Sequence, residues 1–219
     1  RKIIDSLSAL GDKDKFNKKY GLENMPVLLF AMGDGNHSLA TAKTFYENLK
    51  KANPNKDMSN HPARYALAEI VNLHSKALEF EAIHRIVRNV DNEKLIDAMN
   101  NVLEITDEPQ EQSFIYYCGG TEKKVYIKNT SSNLTVGSLQ MFLDSYLKEN
   151  GGEIDYIHGT DAVKKLADKY NGIGFILPDM NKNQLFPTVI KDGALPRKTF
   201  SMGHAADKRF YIECRRISE

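Results

Sequence analysis

Between Val27 and Ser38 the chain passes from an apolar run into a tight turn and then into a helical repeat. Val27 to Ala31 is a short apolar run of buried-strand type. Gly33-Asp34-Gly35-Asn36 is a strong turn signal. Leu39, Ala42, Tyr46 and Leu49 recur at helical spacing, and Asn53-Pro54 ends that element. The turn thus delivers His37 and Ser38 to the first turn of a helix. Backbone N–H groups lack intrahelical partners there, and the macrodipole favours an anion. Gly33 and Gly35 let the backbone approach a ligand closely, so a phosphate fits this position. The glycines match neither the P-loop nor the dinucleotide fingerprint. A capped helix, with Asp34 or Asn36 as the cap, is the plainer reading. Capping needs one polar side chain, however, and here Asp34, Asn36, His37 and Ser38 crowd around two glycines.

The 219 residues and 41% hydrophobic content suffice for one substantial core, as a single α/β domain or two closely packed lobes with a boundary near 104–113. Thirty basic and 29 acidic residues leave a net charge of +1. That balance argues against direct nucleic-acid binding and against a membrane-surface protein. No apolar run reaches transmembrane length, and no signal peptide is expected. Cys118 and Cys214 lie far apart, which predicts a reducing cytoplasm. The six histidines show no metal-ligand spacing. Arg1 falls in mid-pattern without a methionine, which suggests a fragment of a longer protein.

Taken in order, residues 1–20 predict one or two short helices broken near Gly11, and 53–62 an exposed polar loop. Arg64–Leu73 and Leu78–Val90 read as strands joined by His74-Ser75-Lys76. The second carries His84 and Arg85, whose side chains must point to opposite faces. Each has two readings: a satisfied core histidine and a snorkelling arginine, or a group lining a ligand pocket. Asp91 caps a helix to about Leu103, a hairpin follows around Gly119-Gly120, and Val136, Leu139, Leu143 and Leu147 stripe another helix. These elements read as scaffold. Ile154–Ile157, a helix ending at Asn171-Gly172, and Ile173–Leu177 form the best candidate for a parallel strand pair. Phe186–Lys191 reads as helix and Phe210–Cys214 as strand. Between them, Arg197, Lys198, Thr199, Ser201, His204, Lys208 and Arg209 gather anion-binding donors, with Pro196 and Gly203 fixing the backbone. The predicted class is α+β, a mixed β-sheet flanked by helices.

The box Asp34-Gly35-Asn36-His37-Ser38, Ile83-His84-Arg85 on a strand, and Leu195-Pro-Arg-Lys-Thr-Phe200 together resemble the C-terminal part of an uncharacterised bacterial family, domain of unknown function 1015. There the box usually reads Asp-Gly-His-His-Arg; here Asn36 and Ser38 replace the middle His and the Arg. The box is in turn similar to that of the ParB and sulfiredoxin-like fold, a group that includes free-serine kinases, CTP-binding partition proteins and sulfiredoxins. The resemblance implies a ParB/sulfiredoxin-like element around the turn and a nucleotide-phosphate site. An enzyme of this kind transfers a phosphoryl group from ATP, ADP or CTP to a small polar metabolite such as an amino-acid hydroxyl. Gly33, Gly35, Asn36, Ser38, His84, Arg197, Lys198 and Thr199 then bind phosphate, and Asp34, His37 and Arg85 are catalytic. Asp34 is the candidate Mg²⁺ ligand. A non-catalytic nucleotide- or metabolite-binding module, or a scaffold, is the alternative.

Overall fold

Short helices open the chain because Gly11 interrupts the apolar repeat. The computed structural model, which describes residues 1–202 and 215–217, places helix α1 at Lys2–Leu10 and α2 at Lys13–Tyr20. Asp12 caps α2 by accepting the Lys15 N–H at 2.9 Å, and Gly21, at φ 63°, closes it. Phe16 is buried and packs edge-on against Tyr20. Helix α3 runs from Asn36 to Ala52, and the Tyr46 hydroxyl ties it to the Met58 carbonyl at 2.8 Å.

Two strand expectations fail in this part. Val27–Ala31 forms no strand, and Phe30 within it is 52% exposed. Arg64–Leu73 likewise forms none: a 3-10 turn covers Pro62–Arg64, and Leu67 and Ile70 beyond it stand exposed. Apolar sequence makes a strand possible, but a hydrogen-bonded neighbour makes it one. Among the described residues neither run has such a neighbour.

Phe80 to Ser201 forms a second compact unit; the first comprises Arg1–Glu79 and Met202–Glu219. In the second, Phe80–Ala82 (β1) leads into His84–Arg88 (β2) and Asn92–Val102 (α4). Ile105–Thr106 (β3), Gln112–Cys118 (β4) and Thr121–Ile127 (β5) follow. Next come Thr135–Asn150 (α5), Glu153–Ile157 (β6), Thr160–Tyr170 (α6), Ile173–Ile176 (β7), Lys182–Asp192 (α7) and Phe200–Met202 (β8). The α+β class holds. One sheet has the order β3-β5-β4-β7-β2-β6 with antiparallel pairing throughout, and β1 pairs with β8 separately. No domain boundary falls at 104–113: Ile105 and Thr106 pair with Ile127 and Tyr126, which ties that stretch into the sheet.

Strands β6 and β7 do not pair with each other. Both run antiparallel to β2 and lie on either side of it, so α6 crosses over β2 as in a split β-α-β unit. Helix α6 comes close because residue 174 is glycine: a Cβ there would meet Val163 Cγ1 at 2.5 Å. Val163 and Ala167 are buried on that face, and Ile86 and Tyr117 cluster with Ala167. Strand alternation sends Arg85 to the opposite face, toward Gln140 of α5. Phe114 and Phe175 pack there as a tilted pair with ring centroids 6.0 Å apart. The strand expected at Phe210–Cys214, together with His204, Lys208 and Arg209, lies outside the described residues.

Candidate functional site

In the first unit the turn is exposed from Asp34 to Ser38. Gly35 is the N-cap of α3 at φ 81°, a left-handed conformation that favours glycine, and no side chain caps the helix. The expected cap by Asp34 or Asn36 is therefore not formed. Asp34 Oδ1 instead accepts the Gly35 N–H at 2.8 Å. Gly33 packs against the Met202 thioether, where a Cβ would come within 2.7 Å of Sδ. The amides of Asn36, His37 and Ser38 stand at an uncapped helix start, the arrangement that receives anions. His37 also lines a shallow depression of about 460 Å³ along α3, with Thr41, Thr44, Phe45 and Asn48.

In the second unit Arg85 is fully buried. Its Nε donates to Gln140 Oε1 at 3.1 Å, Nη2 to the Arg197 carbonyl at 3.2 Å, and Nη1 to the Ile83 carbonyl. Its guanidinium lies 5.2 Å from the centroid of the Tyr156 ring, and that of Arg197 lies 5.7 Å from the same centroid. Gln140 Nε2 donates to Asp144 Oδ1 at 2.8 Å, and Arg197 Nη2 pairs with that oxygen at 3.0 Å. Arg197 thus takes the carboxylate of this cluster, and Arg85 reaches it only through Gln140. Burial lowers the Arg85 pKa to about 10, the like charge of Arg197 adding to the effect and the charge of Asp144 opposing it. At neutral pH Arg85 remains charged, and holding that charge inside the fold costs about 3 kcal/mol.

His84, beside it on β2, is buried and accepts the Leu177 N–H through Nδ1 at 3.2 Å, which leaves Nε2 as its N–H donor when neutral. Burial lowers its pKa, with the charge of Asp179 opposing the shift. Asp179 accepts the Ala82 N–H at 2.8 Å. Lys198 is exposed and sits at φ 56°. Thr199 is buried and donates its hydroxyl to the Pro196 carbonyl at 2.6 Å, so that proton is committed within the loop.

His84, Arg85 and the Arg197 loop thus belong to one unit, and the Gly33–Ser38 turn to the other. Gln140, Asp144 and Tyr156 complete the arginine cluster, and the sequence reading passed over all three. One signal for Gln140 was legible: it is a polar residue on the apolar stripe of α5. A groove of about 540 Å³ between α4 and α5, lined by Lys94, Val102, Met141 and Phe142, includes none of the predicted residues. Among the described residues no group of three His, Cys, Asp or Glu has metal-holding geometry. No described helix is long and apolar enough to cross a membrane.

An α+β chain with a buried, carboxylate-free arginine beside a basic loop is a candidate anion-binding protein. The chain belongs to the family described as Protein of unknown function (DUF1015), which matches over residues 5–146. That range takes in the turn, His84, Arg85, Gln140 and Asp144, but not Tyr156 or Arg197. No curated protein matches the chain in sequence. Among solved structures it is similar to a mutant free serine kinase in complex with ADP, at 14% identity and TM-score 0.50, covering 75% of this chain and 80% of that one. It is also similar to a conserved hypothetical protein from Pyrococcus furiosus, at 13% identity and TM-score 0.49, covering 76% and 84%. The likeness to the kinase is one of fold.

Proposed function

We propose that this protein binds the phosphates of a nucleotide and transfers a phosphoryl group to a small polar metabolite, with an amino-acid hydroxyl as the acceptor class. The supporting observation is Arg85, a fully buried cation whose polar contacts are all neutral: one amide oxygen and two carbonyls. Such a charge is costly, and an anionic ligand offsets the cost while gaining a strong, weakly screened partner. Arg85 and Arg197 neutralise charge on the transferring group, and the exposed Lys198 adds a further cation. His84 donates through Nε2 as a neutral group. Thr199 gives its hydroxyl proton to the Pro196 carbonyl and shapes the loop.

The turn of the first unit contributes in its own right. The amides of Gly33, Asn36 and Ser38 hold phosphate, Gly35 gives its N–H to Asp34 and shapes the turn, and His37 contacts phosphate or takes the acceptor proton. Asp34 is the proposed Mg²⁺ ligand. One carboxylate is compatible with magnesium, which keeps several waters, and an ion held by Asp34 would supply charge neutralisation to the phosphates. Ser38, with a single hydroxyl donor, favours the second reading, a nucleotide- or metabolite-binding module without turnover.

Thermal unfolding with Mg²⁺ and ATP, ADP or CTP tests binding. At a hundredfold excess over Kd a ligand adds about 2.7 kcal/mol of stability. Turnover with a panel of amino acids then separates transferase from module. A double-mutant cycle between His37→Ala and Arg85→Met asks whether turn and arginine act on the same ligand. Absence of both shift and turnover for every nucleotide contradicts the proposal.

A further inference from the structure

Gln140 occupies an interior position of α5, 3% exposed, among Val136, Leu139 and Leu143. Both ends of its amide are used: Oε1 accepts from Arg85 and Nε2 donates to Asp144. A flipped amide would turn its NH₂ toward the Arg85 donor and its oxygen toward the Asp144 carboxylate, so these partners fix its orientation. Gln140 thereby satisfies Arg85 as a hydrogen-bond donor without neutralising it. The carboxylate of the cluster, Asp144, is held one amide away from Arg85 and directly on Arg197.

We infer that Gln140 is a positioning residue that sets the charge of this site, keeping Arg85 oriented and uncompensated so that the guanidinium pair takes a phosphoryl anion. The inference rests on the phosphate-binding reading above. Its content is that residue 140 must be a neutral acceptor. Arg85 and Arg197 against Asp144 leave one surplus positive charge. A glutamate at 140 has nearly the same shape and can accept the same Arg85 bond, but it cancels the surplus and repels Asp144. A methionine fills the volume, loses both hydrogen bonds and leaves the surplus intact. Removing the charge of Asp144 raises the surplus.

The test is calorimetric titration of the full chain with inorganic pyrophosphate, on wild type, Gln140→Glu, Gln140→Met and Asp144→Asn, with thermal unfolding to report folding. Gln140→Glu is expected to weaken Kd by about tenfold or more, with a shallower salt dependence. Gln140→Met weakens it less, despite losing both bonds, and Asp144→Asn tightens it several-fold. A purely structural role predicts a different order: Gln140→Met the weakest, and Asp144→Asn weakened too. If wild type binds but Gln140→Glu binds as well as wild type, or Gln140→Met is the weaker of the two, the inference on Gln140 is overturned alone. Wild type that does not bind pyrophosphate overturns the phosphate-site reading and this inference with it. Should both Gln140 variants unfold, the sign of the Asp144→Asn effect decides.

Discussion

His84 and Arg85 are neighbours that point to opposite faces of β2, and burial acts on both. For Arg85 the shift leaves the charge in place, since a pKa of about 10 is still well above neutrality. For His84 it removes the charge. Its folded pKa lies below the ordinary 6.5, so the folded state stays neutral where the unfolded chain takes up a proton. Stability from this group is therefore fully present above about pH 6.5 and is lost as pH falls through 6.5 toward the folded value. Asparagine can accept the Leu177 N–H without titrating. Urea unfolding of wild type and His84→Asn between about pH 7.5 and about pH 5 should show the wild-type advantage shrinking toward acid. A difference that does not change with pH would show that His84 is not the responsible group. His84 and Arg85 were legible as candidates because a charged pair on a predicted strand cannot leave both side chains in water if the strand is central. Their hydrogen-bond partners were not legible, because those lie on strands and helices far away in sequence.

At the scale of elements, local chemistry was read well and pairing poorly. Asp91 caps α4 through the Lys94 N–H, and Leu95 and Met99 are buried beneath it, while Val102, expected on the same inner stripe, is 52% exposed. Gly119 and Gly120, at φ 56° and 80°, make the two-residue turn that joins Cys118 to Thr121. Val27–Ala31 misled because a strand depends on a neighbour as well as on its own residues. The strand-helix-strand unit misled because sequence does not reveal that β2 intervenes between β6 and β7. Two glycines separate conformational from steric demand. Gly35 has open space around its missing Cβ, so Gly35→Ala should cost only the strain of a left-handed alanine, about 1–2 kcal/mol. Gly35→Asn should cost less, because asparagine tolerates that region. Gly174→Ala meets a rigid valine across the α6 interface, and about 1–3 kcal/mol of destabilisation is expected in urea unfolding. Equal costs for Gly35→Ala and Gly35→Asn would contradict the strain account.

For the molecule as a whole, the division at Phe80 and Ser201 assigns the arginine cluster and its supporting sheet to one compact unit. Residues 80–201 expressed alone should unfold cooperatively, with α+β circular dichroism; a non-cooperative melt would show that the unit depends on the rest of the chain. The fold class could be read from the succession of elements, and the family from the turn together with Ile83-His84-Arg85. The site could be read only in part, because a buried cation is defined by what fails to neutralise it. The most direct measurement is a calorimetric titration of Mg²⁺-ADP into wild type and Arg85→Met, with circular dichroism to confirm that the variant is folded. Binding by wild type and its loss in a folded Arg85→Met variant is the predicted result; a folded variant that binds Mg²⁺-ADP as tightly as wild type would contradict the account.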